Sequence, residues 1–546
     1  MKKIAYFSME IAIDDKIPTY AGGLGVLAGD TIRSFADLNF PVVAVTLLAS
    51  HFTQKVDKDG NQTEIYKEWD PAKSGLKLLN KKISVEIEDE KVFIRAWKYV
   101  VKGIKGEVII YFLDSDCKKN NPKNRELTSK LYSGDKEHRL KQEIILGIGG
   151  VRLLKALKYK IDKYHLNEGH SALVILELLK YYNKQNLKKK IIFTTHTPIP
   201  AGHDKFDREL VQRLLGSYFK KINYSLDSFL FNNELNMTYL ALNNSNHING
   251  VTIKHKEVSR GMFFGYPIES ITNGVHHFFW TSEYLKEIYN KYLGDAWIKA
   301  PFCLRYVSSI PQNEIFNAHQ RTKKELIDFI KEQTNEELNE NIFTISWARR
   351  FTLYKRSYLI FMNIEKLKQI AENVGPMQII FAGEAAPDDL KGKENLRYVF
   401  EVKKALKDSK IKIIFLEGYN MSIAKKLIAG VDLWLNTPQI PLEASGTSGM
   451  KAAFNGIPSL SSLDGWWLEG HIENVTGWSI GKRGENTTSD YNESDELYRK
   501  LEKDILPIYY YNKERWKEIM MSTIMINASM FNSHRMVKEY ILHSYL

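Results

Sequence analysis

Short apolar runs alternate along this chain with longer stretches in which apolar residues recur at helical spacing. The runs at residues 4–9, 42–48, 108–113, 191–195, 343–346, 378–382, 411–416 and 431–435 are mostly rich in Val, Ile and Phe and show little polar alternation. Strands buried on both faces of a parallel sheet have this composition, whereas half-buried strands alternate. Amphipathic patterns predict helices at 31–38, 284–292, 323–331, 355–372 and 422–429. Strands and helices in alternation predict α/β units joined by crossover helices. The strands fall into two groups, one before residue 200 and one after 340, with a largely helical region between them. The expected fold class is α/β: two doubly wound domains with an interdomain cleft and a helical C-terminal tail, divided as residues 1–275 and 276–546. Ligands in such folds sit on loops at the carboxyl ends of strands. The polar stretch 481–496 reads as a loop. Beyond it the pattern is helical, with Asn532 or Ser533 as the cap of a last helix that carries Met536, Val537, Tyr540 and Ile541 on one face.

Composition adds limits rather than direction. Of 546 residues, 44% are hydrophobic and 26% charged, ordinary for a globular chain. No apolar run approaches the ~18 residues of a membrane helix, and the first residues contain no signal-peptide core. Cys117 and Cys303 offer neither a disulfide framework nor a cysteine-rich metal site. A cytoplasmic protein without a membrane partner is expected. Lys and Arg total 77 against 65 Asp and Glu, a net charge of +12. The cations are dispersed, whereas nucleic-acid footprints cluster on one face, so no nucleic-acid partner is expected and a small anionic substrate stays open.

Four stretches carry candidate chemistry. The first is Tyr20-Ala-Gly-Gly-Leu-Gly-Val-Leu-Ala-Gly-Asp30, a glycine-rich turn between a strand and a helix. It suits close approach to an anion or tight packing, and it has neither dinucleotide-site spacing nor a P-loop lysine. The second is Phe193-Thr-Thr-His196-Thr-Pro198, which puts a histidine just past a buried strand. His165 and His170 match no metal spacing, and no metal is expected. The third, Trp347-Ala-Arg-Arg350-Phe-Thr-Leu-Tyr-Lys355-Arg356, places four cations at a strand end, either as a phosphate clamp or as a solvated basic loop. The fourth, Pro441-Leu-Glu443-Ala-Ser-Gly-Thr-Ser-Gly-Met-Lys451, joins a small-residue turn to a lysine, as a phosphate-bearing aldehyde cofactor requires.

In this order and spacing, the four stretches resemble the α-glucan phosphorylases, the pyridoxal-phosphate-dependent glycogen, starch and maltodextrin enzymes, and look most like the short bacterial and archaeal type. Glu443-Ala-Ser-Gly-Thr-x-x-Met-Lys451 and Arg350-x-x-x-Tyr-Lys355-Arg are the most specific matches. The resemblance implies two Rossmann-like domains of the GT-B type. It also implies release of glucose 1-phosphate from the non-reducing end of an α-1,4-glucan by inorganic phosphate, with retention. Lys451 would bind pyridoxal 5'-phosphate as a Schiff base. Gly446, Thr447 and Ser448 would lie at the cofactor phosphate and glucosyl site, and Tyr419 would line the cofactor pocket. Arg350 and Lys355 would hold phosphates, and Gly22 and Gly23 would cover the inorganic phosphate. His196, Asn273, Glu443, Ala444 and Ser445 would serve the glucose. The family is commonly dimeric, and a homodimer is the implied assembly.

Four positions at three sites depart from the family's pattern: Ser448-Gly449 where Gly-Asn is common, Asn420 where many members have Arg, and Glu384 where Lys is usual. The chain starts at its first strand, which implies no regulatory N-terminal extension. The rival reading is a sugar-nucleotide transferase of the glycogen or starch synthase kind. Those enzymes share a Gly-Gly-Leu-Gly loop but carry Lys-Thr before it, where this chain has Tyr20-Ala21, and they lack the Lys451 segment. A two-carboxylate hydrolase would draw on Glu10, Asp30, Glu168 and Glu443, and no spacing selects a pair. A glucan-binding protein without catalysis would leave Lys451 unmodified.

Overall fold

A computed structural model describes residues 3–66, 68–132, 134–484 and 489–546. It contains two compact units, and neither is continuous in sequence. One comprises Met1–Phe52, Tyr66–Thr272 and Met536–Leu546; the other comprises Thr53–Ile65 and Asn273–Arg535.

The first unit is built on a nine-stranded sheet. Its spatial order is Glu269–Ser270, His247–Gly250, Ile191–Thr194, Ile161–Asn167, Lys3–Phe7, Val42–Leu47, Glu107–Asp114, Glu90–Lys102 and Lys77–Ile87. The first seven are parallel, and the last two are antiparallel. The parallel part steps outward on one side of Lys3–Phe7 and then on the other. The order therefore reverses between Lys3–Phe7 and Ile161–Asn167, where crossovers leave on opposite faces and a crevice forms at the carboxyl ends. The second unit has six strands, all parallel, in the order Ile411–Leu416, Met377–Ala382, Phe343–Ala348, Leu433–Asn436, Ser459–Ser462 and Gly477–Ile480. Its reversal lies between Phe343–Ala348 and Leu433–Asn436.

All eight predicted strands are present, and each is parallel to a neighbour. The charged hairpin Lys77–Ile87 and Glu90–Lys102 escapes a search for buried apolar runs because one face is largely exposed. Ser459–Ser462 escapes because the mostly polar Ser-Leu-Ser-Ser is buried by its two neighbours rather than by its own composition.

Three helices differ from expectation, and the predicted 323–331 helix is the longer Gln312–Thr334. The predicted 31–38 helix starts earlier, at Gly23, and runs to Asp37. Gly29 lies inside it at a place that admits no side chain, because a Cβ would sit 1.8 Å from the Ala12 carbonyl. The predicted 355–372 helix is only Ile364–Asn373, capped by Asn363. Ahead of it, Arg356 turns left-handed at φ 48°. Its guanidinium is almost fully buried. It donates to the carbonyls of Thr437 at 3.0 Å and Pro438 at 2.8 Å, and pairs with Asp490 at 2.8 Å and with Glu493. Those partners lie 81 to 137 residues away, so no local pattern reveals them.

Residues 485–488 of the expected loop 481–496 lie outside the described residues, and its end belongs instead to the helix Asp490–Lys500, capped by Ser489. The C-terminal chain is helical, and Asn532 accepts from the Arg535 amide as the expected cap. Met536, Val537, Tyr540 and Tyr545 are buried in the first unit's core with Tyr6, Phe35 and Val42. Among the described residues no helix is long and apolar enough to cross a membrane.

Candidate active site

In the first unit the site residues gather where the strand order reverses. The chain leaving Lys3–Phe7 reaches Glu10, which is nearly buried. Its carboxylate accepts from the amides of Ala21 at 2.6 Å and Gly22 at 3.2 Å, and from the Tyr132 hydroxyl at 3.0 Å. The glycine loop is therefore held from beneath by an acid, and Gly22 spends its N–H on it. Gly23 begins the helix, is exposed, and has open space around its missing Cβ. Gly25 cannot bear a side chain, because a Cβ would lie 2.7 Å from both Glu10 Oε2 and Tyr20 Cβ.

The chain leaving Ile161–Asn167 supplies the other wall. Glu168 has φ 82°, an unfavourable conformation for a residue with a Cβ. Its carboxylate accepts from the amide of Gly169 at 2.8 Å, the amide of His196 at 2.7 Å and the hydroxyl of Thr197 at 2.9 Å. Nε2 of His196 bonds Asn167 Oδ1 at 2.8 Å. An amide oxygen only accepts, so the imidazole proton sits on Nε2. Burial pushes the His196 pKa down to about 3, with His255 a lesser cause, so the ring is neutral near pH 7. The buried hydroxyl of Thr195 has no hydrogen-bond partner among the described residues.

In the second unit the reversal again assembles the site. Strand Phe343–Ala348 delivers Arg349, Arg350 and Lys355, and strand Leu433–Asn436 leads into the Glu443–Ser448 loop. Lys355 and Glu443 form an ion pair. Burial works against the Lys355 charge, but the Glu443 carboxylate outweighs it and holds the lysine pKa above its ordinary value. Arg349 donates to the Leu435 carbonyl at 2.6 Å, while its buried Nε has no hydrogen-bond partner among the described residues. Burial lowers its pKa to about 10, so it remains a cation.

Asp464 stitches this loop in place. Its two carboxylate oxygens accept from the amides of Glu443 and Gly465, each at 2.8 Å. Gly465 has φ 55°, and the next amide, of Trp466, donates to the Ser445 carbonyl at 2.9 Å. Burial pushes the Asp464 pKa up to about 7 against those two amide bonds. Gly446 completes the turn at φ 70°, and Thr447 precedes the short helix Ser448–Ala453. Lys451 on that helix is buried, with Nζ 4.2 Å from the centre of the Trp280 ring. The Tyr419 hydroxyl reaches the Ala348 carbonyl at 3.4 Å, and burial raises its pKa to about 12. Asn273 is buried; Arg535 donates to its backbone carbonyl at 2.8 Å, and its Oδ1 has no hydrogen-bond partner among the described residues.

Each unit thus brings its own residues together: Gly22 with Glu10 and His196 with Asn167 and Glu168 in one, Lys355 with Glu443 and the 443–451 segment in the other. Sequence reasoning placed Arg349 and Arg356 only among the four cations at the strand end, and left Asn167, Asp464 and Trp280 without a role. Arg349 stood in a motif already quoted. Asp464 was not recoverable, because its role depends on two amides, one of them 21 residues away.

A family model described as carbohydrate phosphorylase matches residues 135–477, more than half of the chain. The chain belongs to the carbohydrate phosphorylase family. It is 39% identical to a maltodextrin phosphorylase of Thermococcus litoralis over 98% of this chain and 70% of the relative. It is 34% identical to a glycogen phosphorylase of Aquifex aeolicus over 99% of this chain and 85% of the relative. A glycogen phosphorylase of Mycobacterium tuberculosis is 33% identical over 99% of this chain and 70% of its own length.

In this phosphorylase two of the three departures from the family's motifs have local uses. Asn420 caps the helix Met421–Gly430 by accepting from the Ile423 amide at 2.9 Å. The Ser448 hydroxyl accepts from the Trp434 indole at 2.9 Å. A Cβ at Gly449 would lie 2.7 Å from the Trp466 ring, so that position admits no side chain. At the third, the Glu384 backbone carbonyl accepts from the Phe351 amide at 2.9 Å, a bond that does not depend on its side chain.

Proposed function

We propose that this member of the family is an α-1,4-glucan phosphorylase. It would cleave the terminal α-1,4 bond at the non-reducing end with inorganic phosphate, retain configuration, and release glucose 1-phosphate. The observation that carries this reading is the Lys355–Glu443 pair at the strand-order reversal, on the loop that leads into the buried Lys451. The fold would be of the GT-B type, with domains divided near residue 275 apart from the two exchanged segments.

Pyridoxal 5'-phosphate suits the residues present. An amine in a dry site beside an indole matches an aldehyde, and a buried guanidinium Nε that lacks a hydrogen-bond partner matches a phosphate oxygen. Lys451 would anchor the cofactor, with Gly446, Thr447 and Ser448 near its phosphate and Tyr419 lining the pocket. When bound, it supplies a second phosphate whose ionisation near pH 6 suits proton transfer.

The chain's own groups do the rest. Arg350 and Lys355, with Arg349 beside them, offset the repulsion between neighbouring phosphates. Gly23 leaves room for the substrate phosphate to approach the start of its helix. Asn273 offers a buried acceptor to a glucose hydroxyl, and the Glu443–Ser445 backbone, fixed by Asp464, offers further polar groups. Neutral His196, fixed by Asn167 and Glu168, hydrogen-bonds the sugar without adding a positive charge beside an oxocarbenium-like centre. A homodimer is part of the proposal.

The test is release of glucose 1-phosphate from maltodextrin, dependent on inorganic phosphate, combined with borohydride reduction and peptide mapping. A reduced tag on Lys451 and loss of phosphorolysis in Lys451→Ala are expected. Phosphorolysis retained in Lys451→Ala, or transfer from a sugar nucleotide without phosphate, would overturn the assignment.

A further inference from the structure

Three buried histidines lie together in the second unit. His276, His277 and His534 are 5%, 0% and 1% exposed. Each offers a ring nitrogen, and the three nitrogens lie within 4.8 Å of one another. The rings of His277 and His534 meet edge to face at 4.6 Å, and those of His276 and His534 at 6.0 Å. Packing three polar rings into a core costs desolvation that apolar residues would avoid.

One of the surrounding bonds has the form found in the outer shell of a metal site. Nε2 of His277 bonds the Ile298 carbonyl at 2.8 Å. A carbonyl only accepts, so that nitrogen carries the proton and Nδ1 keeps its lone pair. Metal-bound histidines are oriented in this way. Nδ1 of His276 accepts from the Phe279 amide at 3.1 Å, at the start of the turn His277–Trp280. Ligation by His276 therefore goes through Nε2, moves the ring proton to Nδ1 and gives up that amide bond.

We propose that His276, His277 and His534 bind a divalent transition-metal ion of the zinc type, with water completing the coordination. Imidazole nitrogen suits zinc, copper and nickel, and three histidines with one open position is a recognised zinc arrangement. Zinc–nitrogen bonds of about 2.0–2.1 Å hold tetrahedral nitrogens roughly 3.4 Å apart, so the rings close by little over 1 Å.

The site staples two strands of chain that already touch. The Val275 amide donates to the Phe531 carbonyl at 3.1 Å, and the Ser533 amide donates to the Val275 carbonyl at 2.9 Å. Arg535 holds the Asn273 carbonyl. A metal at this junction fixes the segment that carries Asn273.

The experiment strips the full-length protein with a chelator, adds cobalt(II) or zinc(II), and compares wild type with His276→Asn. Asparagine still accepts the Phe279 amide as a helix cap, so the turn survives while the ligand is lost. The expected result is one ion per chain, the intense visible bands of tetrahedral cobalt, a higher melting temperature with zinc, and affinity lower by about tenfold or more in the variant. Absence of stoichiometric metal and of the cobalt bands in the wild type would overturn the proposal. Equal affinity in a folded His276→Asn would overturn it as well.

Discussion

Glu443 carries two burdens: its carboxylate pairs with Lys355, and its amide is held by Asp464. Removing the carboxylate leaves Lys355 as an uncompensated, mostly buried cation. Glu443→Gln is expected to lose roughly 3 kcal/mol of stability, with Lys355→Met in the same chain restoring most of it and none of the activity. Denaturant titration of the single and double variants measures the coupling, and simple additivity would contradict the pair. Asp464 gives a signed pH effect. Its pKa rises from 3.8 unfolded to about 7 folded, so the folded state holds a proton that the unfolded chain has released. Its contribution is fully present below pH 3.8 and is lost as pH rises toward 7, by roughly 1.4 kcal/mol per unit. Asp464→Asn should flatten that window in unfolding curves recorded from pH 4.5 to 7; an unchanged slope would count against the assignment.

At the scale of elements, the helix Gly23–Asp37 separates packing from ligand approach. Its glycines look alike in sequence but meet different surroundings. Gly29 faces the Ala12 carbonyl, whereas nothing lies within 4 Å of the Cβ that Gly23 lacks. Gly29→Ala should push the helix off the 11–13 segment and lower the melting temperature by several degrees, since overpacking costs roughly 1–3 kcal/mol. Gly23→Ala should leave stability unchanged or raise it by about 0.5–1 kcal/mol while raising KM for inorganic phosphate. A Gly23→Ala enzyme with ordinary phosphate KM would remove this loop from the phosphate site. The residues Arg350 and Lys355 were visible as a motif, but the turn that aims them was not. Arg356 is buried among carbonyls and acids from distant segments, so the local helical pattern at 355–372 was overridden.

At the scale of the molecule, the first unit holds neutral histidines in its interior. Burial is the main cause in each case, pushing His165 and His170 down to about 3 and His255 to about 4. The unfolded chain binds those protons near pH 6.5. Their contribution is present above that pH and is lost as pH falls toward the folded values, each by roughly 1.4 kcal/mol per unit. Unfolding measured between pH 7 and 5 should show a steep acid loss of stability, opposite in sign to the Asp464 contribution. A flat profile would mean that these rings are already protonated in the fold.

The sequence by itself determined the fold class, the eight buried parallel strands and the short stretches that carry chemistry, because a doubly buried strand needs an unbroken apolar run and a catalytic turn needs particular residue types. It also carried the family, through the spacing from Glu443 to Lys451. Tertiary structure decided the rest. Strand order is set by which apolar faces meet, and that order put Lys355 against Glu443 and His196 against Asn167. It also decided the extra antiparallel hairpin, the exchange of Thr53–Ile65 and Met536–Leu546 between units, the clamp of Asp464 on two amides and the gathering of His276, His277 and His534. Apart from the hairpin, whose strands adjoin in the chain, those features depend on contacts between residues far apart, where hydrogen bonds and burial, not neighbouring residues, set the energy.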